Sequence, residues 1–196
     1  MKSKLLITVM SILFSAGASA HKQAPDVIAV SKAVELGVHR IERLVTLKKI
    51  DEAFRLHLIG LGAELSQENG ATYKVHGYMA PGADGKSTTI TLWMDNQGKT
   101  LAYNVTAASA PSNPFSWPTK DSVTLMEEGL HFVLEGWAQH PEVKSFYTGL
   151  QTISLTPVRD GQGNIQAQFK VTSDDTPQTL FINLKTDGTF LSYEVR

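Results

Sequence analysis

The chain has 196 residues, 18 Lys and Arg against 19 Asp and Glu, and no cysteine. The missing cysteines exclude disulfides, thiolate metal sites and a cysteine-linked lipid anchor. With acid and base nearly balanced, nucleic-acid binding is not expected, because phosphate contacts need concentrated positive charge.

Lys2 and Lys4 precede an apolar run from Leu5 to Phe14, and Ala18-Ser19-Ala20 supplies small residues of the kind a signal peptidase reads. Residues 1–20 are therefore expected to be a signal peptide cleaved after Ala20. Its removal takes away two lysines and leaves 16 basic against 19 acidic residues, a formal charge of −3. No later stretch approaches the roughly twenty continuous apolar residues of a membrane span. The expected product is a periplasmic protein with no membrane span, secretion being the second destination.

Within residues 21–106 the chain reads as one helix and four strands. From Val27 the apolar positions Val30, Val34, Val38, Ile41, Leu44 and Val45 form one stripe, with Lys32, Glu35, His39, Glu42 and Arg43 opposite, which predicts an amphipathic helix beginning near Asp26. From Phe54 to Leu65 the period becomes two and changes phase around Gly60 and Gly62, the mark of a strand with a bulge or bend. Strands follow from about Thr72 to Met79, Ser87 to Met94 and Leu101 to Val105, the last two joined by a turn at Gly98. Residues 107–120 contain Pro111, Pro114 and Pro118 and read as an irregular link, too apolar at Phe115 and Trp117 to be a free tether.

Residues 121–196 read the same way. Asp121 or Ser122 caps a helix whose stripe is Val123, Met126, Leu130, Val133, Leu134 and Trp137. Leu125, Gly129, Phe132 and Gly136 widen its apolar arc, and this glycine flank is expected to pack on the other unit. Strands are expected near Phe146–Thr156, Ile165–Ser173, Thr179–Lys185 and Thr189–Val195. The fold class is therefore α+β, two repeats, each a helix packed on a four-stranded antiparallel meander.

Each unit closes with a strand, an Asp-containing glycine turn and a second strand. Asp95, Gly98, Lys99 and Leu101 carry this in the first unit, and Asp187, Gly188 and Leu191 in the second. With the element order, these turns resemble the exported PepSY modules and, more loosely, the cystatin-like fold. The resemblance implies a noncatalytic binding or inhibitory module of the bacterial envelope, with a protein or peptide as partner.

No nucleophile elbow, metalloprotease helix, phosphate-cradling loop or dinucleotide fingerprint is present. No enzymatic activity and no cofactor are expected. Glu127, Glu128, His131 and Glu135 read as a solvated helix face. The functional candidate is the sheet face turned away from the helix. If Leu92 and Met94 point to the core, Trp93 points outward, and Lys74, His76, Tyr78 and Asn104 join it, a set with the aromatic rings and hydrogen-bonding tips of a recognition surface. The alternative is a small-ligand or metal carrier, in which His21, first after cleavage, would bind copper through its amine and imidazole with help from a second histidine such as His57 or His76.

Overall fold

The computed structural model describes residues 28–108, 110–111 and 114–196. The expected signal peptide, residues 1–20, and His21 lie outside the described residues. The protein is α+β, with four α-helices and one eight-stranded antiparallel sheet in the order β4-β3-β2-β1-β5-β6-β7-β8 among the described residues.

In the N-terminal half, α1 (Val30–Thr46) and α2 (Ala53–His57) precede β1 (Leu58–Leu65), β2 (Tyr73–Met79), β3 (Thr89–Met94) and β4 (Thr100–Thr106). In the C-terminal half, α3 (Ser122–Gly136) and α4 (Lys144–Thr148) precede β5 (Leu150–Arg159), β6 (Ile165–Ser173), β7 (Thr176–Lys185) and β8 (Phe190–Val195). The meanders are not separate sheets. Leu61 of β1 pairs with Ile153 of β5, and Gly60 and Gly62 with Ser154 and Thr152, so the first strands of both halves meet at the centre.

One face of this sheet is covered and the other is open. Ala33, Val34, Val38 and Ile41 of α1 and Met126, Leu130 and Val133 of α3 are wholly buried, together with Val75, Ile90, Leu92, Phe169 and Ile182 of the strands. Each of these side chains other than the Ala33 methyl contributes about 1.5–3 kcal/mol on burial. Strand residues of the opposite phase, Lys74, His76, Tyr78, Thr91 and Trp93 among them, remain half-buried. Period-two sequence thus becomes a two-sided sheet with only one greasy side.

Two expected strands begin as helices. Phe54 and Phe146, both buried, sit on the single-turn helices α2 and α4 rather than on strands. In α2 the Asp51 carboxylate accepts the Ala53 N–H at 2.8 Å and nucleates the turn. Leu56 is consequently 44% exposed, whereas a strand would have aligned it with Phe54 and Leu58. The phase change is real and appears as a bulge between Leu58 and Gly60.

The second helix starts as its sequence indicates, with the Asp121 carboxylate accepting the Thr124 N–H at 2.8 Å. Its glycine flank packs on the strands of its own half, not on the other one. A Cβ on Gly129 would lie 2.7 Å from the Phe169 ring of β6, and Phe132 stacks on Phe190 of β8 at 5.0 Å. Contact with the N-terminal half is made elsewhere on α3, where Ser122 donates to the Leu56 carbonyl and Glu127 lies 3.5 Å from His39. The proline-containing link passes one end of the sheet. Phe115 and Trp117 pack edge to face at 4.9 Å and line a cleft with Ile59 and Ala80 of one half and Leu155 and Pro157 of the other.

Candidate functional site

The open face over β1, β2, β3 and β4 is organised in rows across the strands. One row runs Glu64, Lys74, Trp93, Ala102; the next runs Gly62, His76, Thr91, Asn104; a third runs Gly60, Tyr78, Thr89, Thr106. Lys74, His76, Tyr78, Trp93 and Asn104 therefore share one face. Side chains in register across antiparallel strands are within reach of each other, and here most of them are linked.

Glu68, on the turn between β1 and β2, organises the first row. Its carboxylate accepts the Trp93 indole N–H at 3.0 Å and the Lys74 ammonium at 3.3 Å. The hydrogen bond from Trp93, reinforced by Lys74, holds the Glu68 carboxyl below the ordinary glutamate value. Lys74 also reaches Glu64 at 3.5 Å. The indole is thereby fixed on the face by a polar anchor. Glu68 was not singled out from the sequence, because its reach back over the sheet depends on the 3₁₀ turn Glu68–Gly70, where Asn69 takes a left-handed φ of 54°.

His76 holds the second row together. Its Nδ1 lies 3.1 Å from the Thr91 hydroxyl and its Nε2 3.5 Å from the Glu64 carboxylate. Asn104 stands exposed on β4 opposite Thr91. In the third row, the Tyr78 ring lies over Gly60, and its burial raises the phenol above its ordinary pKa. The two glycines of β1 have no side chains to fill the middle of the sheet. Tyr78 takes the space at Gly60, while beside Gly62 a shallow trough of ≈ 660 Å³ remains, edged by Glu64 and His76 on one side and by Gln151, Thr152 and Asp174 on the other. The trough spans the β1–β5 seam, so both halves contribute walls.

The same face over β5, β6, β7 and β8 is plainer. Gln168 donates to Asn183 at 3.1 Å, Thr152 and Thr172 hydroxyls meet at 2.7 Å, and Phe181 lies under the Arg196 guanidinium at 5.0 Å. Binding energy tends to concentrate in aromatic and arginine anchors at the centre of a contact. That requirement is better met near Trp93 and Tyr78.

The remaining candidates fall elsewhere. His57 ends α2 and lines the cleft beside Phe115 and Trp117, away from the His76 row. Glu127 is only partly solvated, since α1 faces it; burial raises its carboxyl above the ordinary value, opposed by His39. Glu128 pairs with Lys120 at 2.7 Å and His131 with Glu135 at 3.2 Å. Among the described residues no group of three or more His, Asp or Glu is arranged to hold a metal ion, and no helix is long and apolar enough to cross a membrane.

Comparison of the chain with family models, with curated proteins and with solved structures found no match.

Proposed function

We propose that the protein is an exported, noncatalytic binding or inhibitory protein of the periplasm that recognises a protein or peptide through the open sheet face of its N-terminal half. Trp93, Tyr78 and His76 are the central contacts, with Lys74 and Asn104 beside them, and the helices are scaffold. The observation that carries this reading is the pre-arranged polar-aromatic cluster beside a trough: Trp93 and Lys74 share Glu68, and His76 sits between Glu64 and Thr91 at its rim. Side chains already held in place lose little freedom on binding, so more of each contact appears as affinity.

The two halves are read as copies of one αββββ unit, 21–106 and 121–196 joined by 107–120, nearest in kind to PepSY-like modules. Matching positions support this. Phe54 and Phe146 are each buried on the short helix before the first strand. Gly37 and Gly129 each admit a strand side chain against a helix, Val75 and Phe169 respectively. The turn glycines Gly98 and Gly188, at φ 78° and 87°, lie under Leu36 and Glu128, the residues preceding those helix glycines.

The absence of cysteine permits a direct test. A photo-crosslinker is attached to Thr91→Cys on the open face and, separately, to Glu42→Cys on α1, and each is exposed to periplasmic extract. The reading expects Thr91→Cys to capture one protein, in competition with unlabelled native chain, and to lose it when Trp93→Ala is added without change in circular dichroism. Capture only from Glu42→Cys, or capture indifferent to Trp93→Ala, overturns it.

A further inference from the structure

The two ends of the helix layer carry clefts that differ in how their charges are met. Between α1 and the β3–β4 turn, Leu36, Arg40, Arg43, Lys99 and Thr100 line a cleft of ≈ 380 Å³. At the matching place between α3 and the β7–β8 turn, Glu128, Phe132, Glu135 and Phe190 line one of ≈ 350 Å³. In the second cleft both acids have partners, Glu128 with Lys120 and Glu135 with His131. In the first, Arg40, Arg43 and Lys99 form no ion pair with any described residue, and the buried Nε of Arg40 has no hydrogen-bond partner.

The basic cleft adjoins β4 at Thr100, and β4 is an edge of the sheet among the described residues. β4 is outermost among the described strands, so its outward N–H and C=O groups pair with no described strand. Its sequence, Thr100-Leu101-Ala102-Tyr103-Asn104-Val105-Thr106, contains neither charge nor proline, the devices by which edges are ordinarily kept from pairing. Leu101 and Tyr103 are 44% and 39% exposed. The other edge, β8, carries Glu194, which pairs with Arg196 at 2.7 Å.

We propose that β4 receives an extended acidic segment of a partner protein as a ninth strand. Backbone hydrogen bonds to the edge supply general affinity, and side-chain alternation selects the sequence. Tyr103 and Val105 oppose the buried Leu92 and Ile90 and so lie on the helix side. Every second side chain of the added strand falls on that side, where acids meet Arg40, Arg43 and Lys99. The contacts on the helix side of β4 do not use the Trp93 indole, which lies on the opposite face, although Asn104 of β4 shares that open face.

The test uses a fluorescent decapeptide with Glu at alternate positions and Val or Thr between, beside the same peptide with Lys for Glu. The Glu peptide is expected to bind the native chain at least tenfold tighter than the Lys peptide, to weaken with added salt, and to slow hydrogen exchange of the β4 amides. Arg40→Ala/Arg43→Ala/Lys99→Ala should remove the tenfold preference, and Trp93→Ala/His76→Ala should bind as the native chain does. Equal binding of both peptides, unchanged exchange at β4, or self-association of the native chain that itself protects β4 overturns the proposal. Loss of the Glu peptide in Trp93→Ala/His76→Ala would likewise overturn it, by moving the site to the open face.

Discussion

Tyr78 occupies the space that a side chain on Gly60 would need: its Cζ and hydroxyl oxygen lie 2.3 Å from where a Cβ would stand. The pair joins β2 to β1 on the open face, where the two residues are in register. Gly60→Ala must therefore turn the ring out of its place. It is expected to destabilise the fold by about 1–3 kcal/mol, the usual cost of overpacking. Since Tyr78→Ala removes the obstacle, the double variant should be more stable than the sum of the two losses predicts, by at least about 0.5 kcal/mol. Urea denaturation of the four proteins checks the cycle, and additive losses would show that ring and glycine are uncoupled.

The Glu68 carboxyl is held below its ordinary value first by the Trp93 indole and then by Lys74. Trp93→Phe removes the donor and keeps a ring. Glu68 should then titrate at higher pH, seen as an upward shift of its carboxyl carbon resonance midpoint. The sign for stability follows from the depressed value: this interaction helps the native state above the unfolded glutamate pKa and is lost as pH falls through the folded one. The difference between native and Trp93→Phe proteins should thus shrink on acidification, and a Glu68 midpoint unmoved by Trp93→Phe would show that the hydrogen bond is not formed in solution.

Gly129 and Gly136 lie one above the other in α3 and should answer oppositely to alanine. At Gly129 the new methyl would press on the wholly buried Phe169 ring at 2.7 Å, and the gain of about 1 kcal/mol in helix propensity is outweighed by overpacking of about 1–3 kcal/mol. At Gly136 the nearest atom is Phe132 at 3.4 Å, an ordinary contact. Gly136→Ala should therefore stabilise the chain by about 0.5–1 kcal/mol. Thermal unfolding of both variants gives the two signs directly.

How much of this was legible beforehand depends on the range of the physics involved. The Asp121 cap, the limits of β6 at Ile165 and Ser173, and the outward direction of Trp93 between buried Leu92 and Met94 are local consequences of capping and period-two alternation. The short helices were misread because Phe54 and Leu58 lie four apart, a spacing that serves a helical turn and a strand alike. The pairing of Leu61 with Ile153 joins segments distant in the chain, and no local pattern encodes it. Five site residues could be placed on one face by alternation, yet Glu68, which fastens Trp93 and Lys74, lies on a turn whose return over the sheet is a tertiary fact. The glycine flank of α3 was correctly read as a close approach and assigned to the wrong neighbour, since a glycine shows that something comes near and not what.

Glu127 offers a test of the interface between the helices. Its carboxyl is raised chiefly by burial, with Glu42, Asp121 and Glu128 adding repulsion and His39, 3.5 Å away, opposing the shift. For an acid with a raised folded value, the native state binds the proton more tightly than the unfolded chain does. Stability from this group is therefore present below the unfolded glutamate pKa and is lost as pH rises through the folded one. Glu127→Gln keeps the shape and removes the charge. It should be more stable than the native protein near neutral pH and converge with it as the pH falls below the carboxylate range, measured by urea denaturation across that interval. A variant less stable than the native protein at neutral pH would mean that attraction to His39 outweighs the cost of burying the carboxylate between α1 and α3.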